Sequence, residues 1–196
     1  MNYYISDLHF GHLNVLMFDN RPWQSLKDME DCIVSNWNSV VTENDDVYIL
    51  GDVAMTIKFS EIKTILQRLN GRLHLIRGNH DRFNCLIPNK LVEIVDYKEI
   101  EDNGRQVQLC HYPMPCYKSS YRKNTFMLYG HVHATKEWDD MLNMYSMMKI
   151  ESRKSDTYSN ANFYNVGCMM PWMNYTPKTL DQIIEGFVDW YKIYCI

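Results

Sequence analysis

The chain has 196 residues and a hydrophobic share of 46%, enough for one domain with a sizeable core. A net charge of −4 argues against a nucleic-acid-coating role, which needs a broad basic face, though not against a local basic cleft. No apolar run reaches the length of a membrane span, and Met1 to Asp7 carry no basic or apolar leader, so a cytoplasmic protein is expected.

Tyr3-Tyr4-Ile5 reads as a short buried strand that ends at Asp7. Ser25 is placed to cap a helix, with Asp28 at the third helical position. Leu26, Met29, Ile33 and Trp37 then share one helical face. Val47 to Leu50 form a second strand, stopping at Gly51-Asp52. Ile62, Ile65, Leu66 and Leu69 make another helical stripe, closed by Gly71. Leu73 to Ile76 form a third strand, stopping at Gly78. Alternation of strand and helix predicts a parallel α/β unit, whose ligands collect beyond the carboxyl ends of the strands.

The second half changes character. Val92 to Ile100, Gln106 to Leu109, Met127 to Tyr129 and Asn162 to Val166 read as short strands. Thr179 and Gln182 offer a capping box for a last helix, with Leu180, Ile183, Ile184, Phe187, Val188 and Tyr191 on its apolar face. Trp138 to Tyr158 is expected to be a loop insertion within a single domain spanning 1–196. Six cysteines without a C-x-x-C pair predict reduced, mostly core thiols rather than a zinc-thiolate site or disulfide framework.

The chemistry concentrates where these strands end. His9, His12, His80, His111, His131 and His133 all lie in short motifs, most of them rich in Asp, Asn and Gly. The motifs are Asp7-Leu8-His9-Phe10-Gly11-His12, Gly51-Asp52, Gly78-Asn79-His80-Asp81, His111 and Gly130-His131-Val132-His133. His74 stands outside them, alternating with Leu73 and Leu75, and reads as a structural or surface histidine. Asp7 and His9, like His131 and His133, are two residues apart, so each pair can point to one face. Carboxylate, imidazole and amide oxygen together suit first-row divalent ions. Asp52 has two oxygens and can bridge a pair of ions, which would hold a hydroxide and clamp a phosphoryl oxygen.

The ordered set D-x-H, G-D, G-N-H-D, H, G-H-x-H resembles the calcineurin-like metallophosphoesterase superfamily, in particular its short bacterial and phage members. Asn165-Val166-Gly167 through Tyr175-x-Pro177 is similar to their closing segment. The resemblance implies a four-layer α/β/β/α sandwich with a dinuclear metal site. It implies that Asp7, His9 and His133 bind one ion, that Asn79, His111 and His131 bind the other, and that Asp52 bridges them. Two divalent transition-metal ions are expected, Mn²⁺ ahead of Fe, Zn or Ni. His80 would protonate the leaving oxygen, and Asp81 would orient His80 and support its charged form. The implied activity is phosphoester hydrolysis, with a phosphodiesterase acting on a nucleotide or nucleic-acid-like substrate favoured.

Contacts to substrate are harder to read. His12 closes the first motif, Arg77 and Arg82 flank the Gly78–Asp81 block, and Tyr117 and Arg122 lie in a basic, aromatic stretch suited to charge and stacking. The rival readings are a phosphomonoesterase, a repair-type nuclease and a non-catalytic scaffold on the same fold. Gly51-Asp52-Val53-Ala54-Met55 departs from the G-D-x-V-D-R-G block of protein serine/threonine phosphatases. Retention of His80 weighs against the scaffold.

Overall fold

The computed structural model describes residues 1–55, 58–87, 89–153 and 162–195, and all their side chains except those of 150–153. Four parallel strands form one sheet in the order β1 (Asn2–Ile5), β2 (Asp46–Ile49), β3 (Arg72–Ile76) and β4 (Leu91–Val95). A second sheet has the order β5 (Tyr97–Asp102), β6 (Arg105–Cys110), β7 (Thr125–Tyr129) and β8 (Phe163–Asn165). Its β5 and β6 are antiparallel, and the remaining pairs are parallel. The helices are α1 (Val15–Phe18), α2 (Leu26–Val40), α3 (Phe59–Leu66), α4 (Lys136–Arg153) and α5 (Leu180–Tyr194).

The helices flank the sheets, giving the α/β/β/α sandwich that the sequence implied. The Ser25 hydroxyl caps α2 by accepting from Asp28 N. Met29, Ile33, Val34 and Trp37 form the buried stripe of α2, and Trp37 Nε1 donates to the Asn70 carbonyl just before β3. On the other side, Tyr145 of α4 packs on Phe163 of β8 and Phe187 of α5. Every residue of β7 is buried, as expected for a strand covered on both faces. Tyr4 of β1 links the sheets by donating to Asp102 Oδ2 at the end of β5. Among the described residues, no helix is long and apolar enough to cross a membrane.

Three expectations change. Val92 to Ile100 is not one strand: it breaks at Asp96, and β4 and β5 belong to different sheets. The exposed Asp96 carboxylate pairs with Arg77 at the crossing point, and a charged bend interrupts the apolar pattern there. The segment expected as a loop insertion is helical through Arg153, and 154–158 lies outside the described residues. Met141, Met144, Tyr145 and Met148 recur at helical spacing and pack on the core. The six cysteines are free, but Cys85, Cys116 and Cys195 are exposed and only Cys168 is fully buried.

Candidate metal centre

The loops that follow β1, β2, β3, β6 and β7 carry the histidine motifs to one end of the sheets. They are held in costly backbone conformations. Asp7, His9, Asp52 and His131 all have positive φ, between 53° and 69°. Residues with a Cβ rarely adopt this region, and such strain collects at functional sites. A ladder of backbone bonds stitches the first two loops together: Asp7 N donates to Gly51 O, His9 N to Asp52 O, Phe10 N to Val53 O, and Met55 N to Phe10 O. Gly78 lets the β2 and β3 loops touch, since a Cβ there would lie 2.3 Å from Asp52 Oδ1.

Seven proposed ligand side chains converge at this end. Asp7, His9 and His133 have donor atoms all within 4.8 Å of one another, and so do Asp7, Asp52 and His111. Asp52 Oδ2 lies 3.7 Å from His9 Nε2 and 3.6 Å from His111 Nε2. It therefore sits between the two groups. Asn79 Oδ1 is 3.0 Å from His111 Nε2 and 3.1 Å from His131 Nδ1. The His131 backbone N–H donates to the Asp7 carboxylate at 3.1 Å.

This arrangement fits divalent cations on its own geometry. His9 is 2% exposed, and its Nε2 has no hydrogen-bond partner among the described residues. A buried ring nitrogen left unpaired is costly unless something electropositive faces it. His111 Nδ1 donates to the Leu50 carbonyl at 2.8 Å, which leaves the Nε2 lone pair facing the Asn79 oxygen. Two acceptors in contact call for a cation between them. Burial disfavours charge on both kinds of donor. It pushes the Asp7 carboxyl up, and burial with the nearby His133 and Arg21 lowers His9 to about 2. Burial and His111 likewise lower His131. Neutral imidazole is the form that binds a metal.

Behind the cluster, Asp19 and Arg21 orient His133 and brace the loop that carries Asp7. His133 Nδ1 lies 3.1 Å from Asp19 Oδ1. Burial raises the Asp19 carboxyl, but the adjacent His133 ring and the charge of Arg21 outweigh it and hold Asp19 low. Arg21, itself 4% exposed, donates from Nε to Asp19 Oδ2 and from its two terminal nitrogens to the Leu8 and Asp7 carbonyls. Asp19 and Arg21 lie outside the histidine motifs, a few residues after the first of them. Cys168 Sγ also donates to the Asp7 carbonyl at 3.1 Å. Phe18 is 48% exposed yet rests on the rings of His9, His12 and His133, forming one wall of the site.

The remaining candidates separate. His80 N donates to Asp52 Oδ1, and its Nε2 stands 3.9 Å from Asp52 Oδ2, half-exposed at the edge of the cluster. The Asp81 carboxylate does not spend its oxygens on the His80 ring. It accepts from the backbone N–H groups of Asp52, Val53 and Gly78, clamping the loops that hold both residues. His12 Nδ1 is 3.3 Å from His9 Nδ1, which places it beside the cluster.

Arg77 is turned away, bonded to Asp96, Asn84 and the Phe83 carbonyl. Tyr117 is buried, with its hydroxyl against the Thr125 and Asn162 carbonyls, and acts as a strut rather than a substrate contact. Arg122 lies over the ring of Tyr121, without a contact to the cluster among the described residues. Arg82 is exposed and beside His80 in one cavity. His74 is a structural histidine, held between Asp46 and Glu93 and stacked on Tyr48.

Comparison with known proteins places the chain in a family. The calcineurin-like phosphoesterase family model matches residues 3–191. The chain is 32% identical over 184 residues to the uncharacterized protein MJ1445 of Methanocaldococcus jannaschii, covering 93% of this chain and 89% of that one. It is 32% identical over 81 residues to the gene 66 protein of Mycobacterium phage L5, covering 40% and 39%. Among solved structures, AQ665 of Aquifex aeolicus, a protein of unknown function, superimposes with a TM-score of 0.65 at 26% identity, over 94% of this chain and 98% of that one.

Proposed function

Because this chain belongs to the calcineurin-like phosphoesterase family, we propose that it is a phosphodiesterase acting on a nucleotide or nucleic-acid-like substrate. Asp7, His9 and His133 would hold one divalent ion, and Asn79, His111 and His131 the other, with Asp52 between them. Mn²⁺ is the favoured metal for this mixed oxygen and nitrogen donor set. When bound, such a pair polarises phosphoryl oxygens and supplies a water of lowered pKa. Asp19 and Arg21 position His133, and Asp81 holds the Asp52 and Gly78 backbones in register. His80 sits at the edge of the cluster, where it gives a proton to the departing ester oxygen.

One observation carries this reading: the unpartnered, buried Nε2 of His9, set 3.7 Å from Asp52 Oδ2 in a ring of acidic and imidazole donors. A proton donor at His80 suits departure of an alkoxide, which leaves poorly unless its oxygen is protonated.

The test is hydrolysis of bis-p-nitrophenyl phosphate against p-nitrophenyl phosphate, with Mn²⁺ and with EDTA. Metal-dependent preference for the diester supports the reading. Preference for the monoester moves the assignment to a phosphatase. No hydrolysis across several metals, with no metal retained on purification, would leave a non-catalytic scaffold.

A further inference from the structure

A cavity of about 380 Å³ opens directly beside His80. Its walls are Ala54, Met55, Phe59, Ile62, Phe83 and Arg82, and His80 itself lines it. Apart from His80 and Arg82, this lining is apolar. Phe59 begins α3 and Phe83 follows the Gly78–Asp81 loop, and their rings stand 5.5 Å apart. The volume falls in the range of small-molecule sites. At the rim, Arg82 is exposed and makes no hydrogen bond or ion pair among the described residues. Its neighbour in the motif, Arg77, is fully engaged. The arginine beside the cavity is thus the one left free.

His80 joins this cavity to the metal-ligand cluster, since its Nε2 is 3.9 Å from Asp52 Oδ2 while its ring lines the cavity. A group that leaves phosphorus with a proton from His80 has this cavity beside it. An apolar, two-ring wall suits a flat aromatic group better than a sugar or a peptide. A free guanidinium at the rim suits a phosphate oxygen.

We propose that this cavity is the leaving-group site, and that its occupant is a nucleoside whose base packs against Phe59 and Phe83 while Arg82 pairs with the phosphate. The assignment rests on the phosphodiesterase reading above and adds the identity of the departing half. In the step, a water oxygen forms the new bond to phosphorus and releases one proton to solvent. The bond to the nucleoside oxygen breaks with its electron pair, and that oxygen takes a proton from His80, which solvent then restores. The products are a free nucleoside and a phosphomonoester.

Two measurements decide it. The first is saturation-transfer NMR with thymidine alone, which does not depend on turnover. Signal on the thymine protons is expected with the wild-type protein and should be lost in Phe59→Ala. Phe59→Leu, which keeps apolar bulk in α3 but lacks the ring, should weaken the signal without altering the thermal midpoint. No thymine signal in the wild type, or an undiminished one in both variants, overturns the pocket.

The second is product analysis of thymidine 5′-(methyl phosphate) hydrolysis with Mn²⁺. Thymidine plus methyl phosphate is expected, with kcat/KM reduced about tenfold or more in Phe59→Ala from the lost stacking contact. Thymidine monophosphate plus methanol would overturn the leaving-group assignment. Thymine signal without hydrolysis of any diester, bis-p-nitrophenyl phosphate included, would overturn the phosphodiesterase reading and the leaving-group role with it, leaving a nucleoside-binding cavity.

Discussion

Asp19 Oδ1 lies 3.1 Å from His133 Nδ1, so the far nitrogen of that imidazole, 3.9 Å from Asp7 Oδ1, is aimed into the cluster. A carboxylate behind a ligating histidine fixes its tautomer and ring angle and raises its basicity. Arg21 holds the carboxylate in turn and is anchored on the Leu8 and Asp7 carbonyls. The relay thus ties His133 to the loop that carries Asp7 and His9.

Asp19→Asn should therefore weaken metal binding at the Asp7, His9 and His133 group by about 10–100-fold. The other group should keep its ion. Metal content after dialysis against graded chelator reads this directly. Equal retention of both ions in wild type and variant would remove Asp19 from the site.

His80→Ala should retain metal while turnover falls by about 10²–10⁴-fold, the usual contribution of a positioned acid. His80 lines the cleft edge, and among the described contacts its side chain holds no backbone in place. A variant that loses metal together with activity would instead make His80 a ligand or a structural group. The pair of measurements is metal stoichiometry and kcat on the same preparation.

Gly78→Ala tests the close approach of the two loops. The added Cβ would meet Asp52 Oδ1 at 2.3 Å and Asp52 N at 2.5 Å, both closer than atoms pack. Overpacking of this kind costs about 1–3 kcal/mol. A lower unfolding midpoint and reduced metal retention are expected together. A fully stable variant with normal metal content would mean that the loops separate freely.

The Asp46, His74 and Glu93 cluster makes an acid-sensitive brace across β2, β3 and β4. Burial raises both carboxyls, but hydrogen bonds from Arg72 and His74 hold Asp46 low, and those from Lys98 and His74 hold Glu93 low. A depressed carboxyl stabilises the fold above its unfolded pKa, and that contribution is lost as pH falls through the folded value. Asp46→Asn should thus lower the urea midpoint at pH 7, with the gap to wild type closing below about pH 4. An unchanged gap down to pH 3 would show that the brace does not titrate as described.

Much of the fold was readable because local rules act over short spans. The Ser25 cap, the stripe of α2, the Thr179–Gln182 box and the ends of β1 to β3 follow from spacing within a few residues. The break at Asp96 was not readable, because a run of β-formers looks the same whether it stays in one sheet or crosses to the next. The helicity of α4 was obscured by methionines and a tyrosine scattered among polar residues, whose stripe gains meaning only against Phe163 and Phe187.

The candidate site divides in the same way. The order of Asp, His, Asn and Gly motifs was written in the sequence by itself, since donor chemistry and two-residue spacing are local properties. Tertiary structure alone decided which arginine is free, that Tyr117 is a strut, that Asp81 clamps backbone rather than His80, and that Asp19 stands behind His133. Those outcomes depend on where a buried polar group finds its partner. The partner comes from another loop, and burial makes leaving it unpaired too costly for any other arrangement.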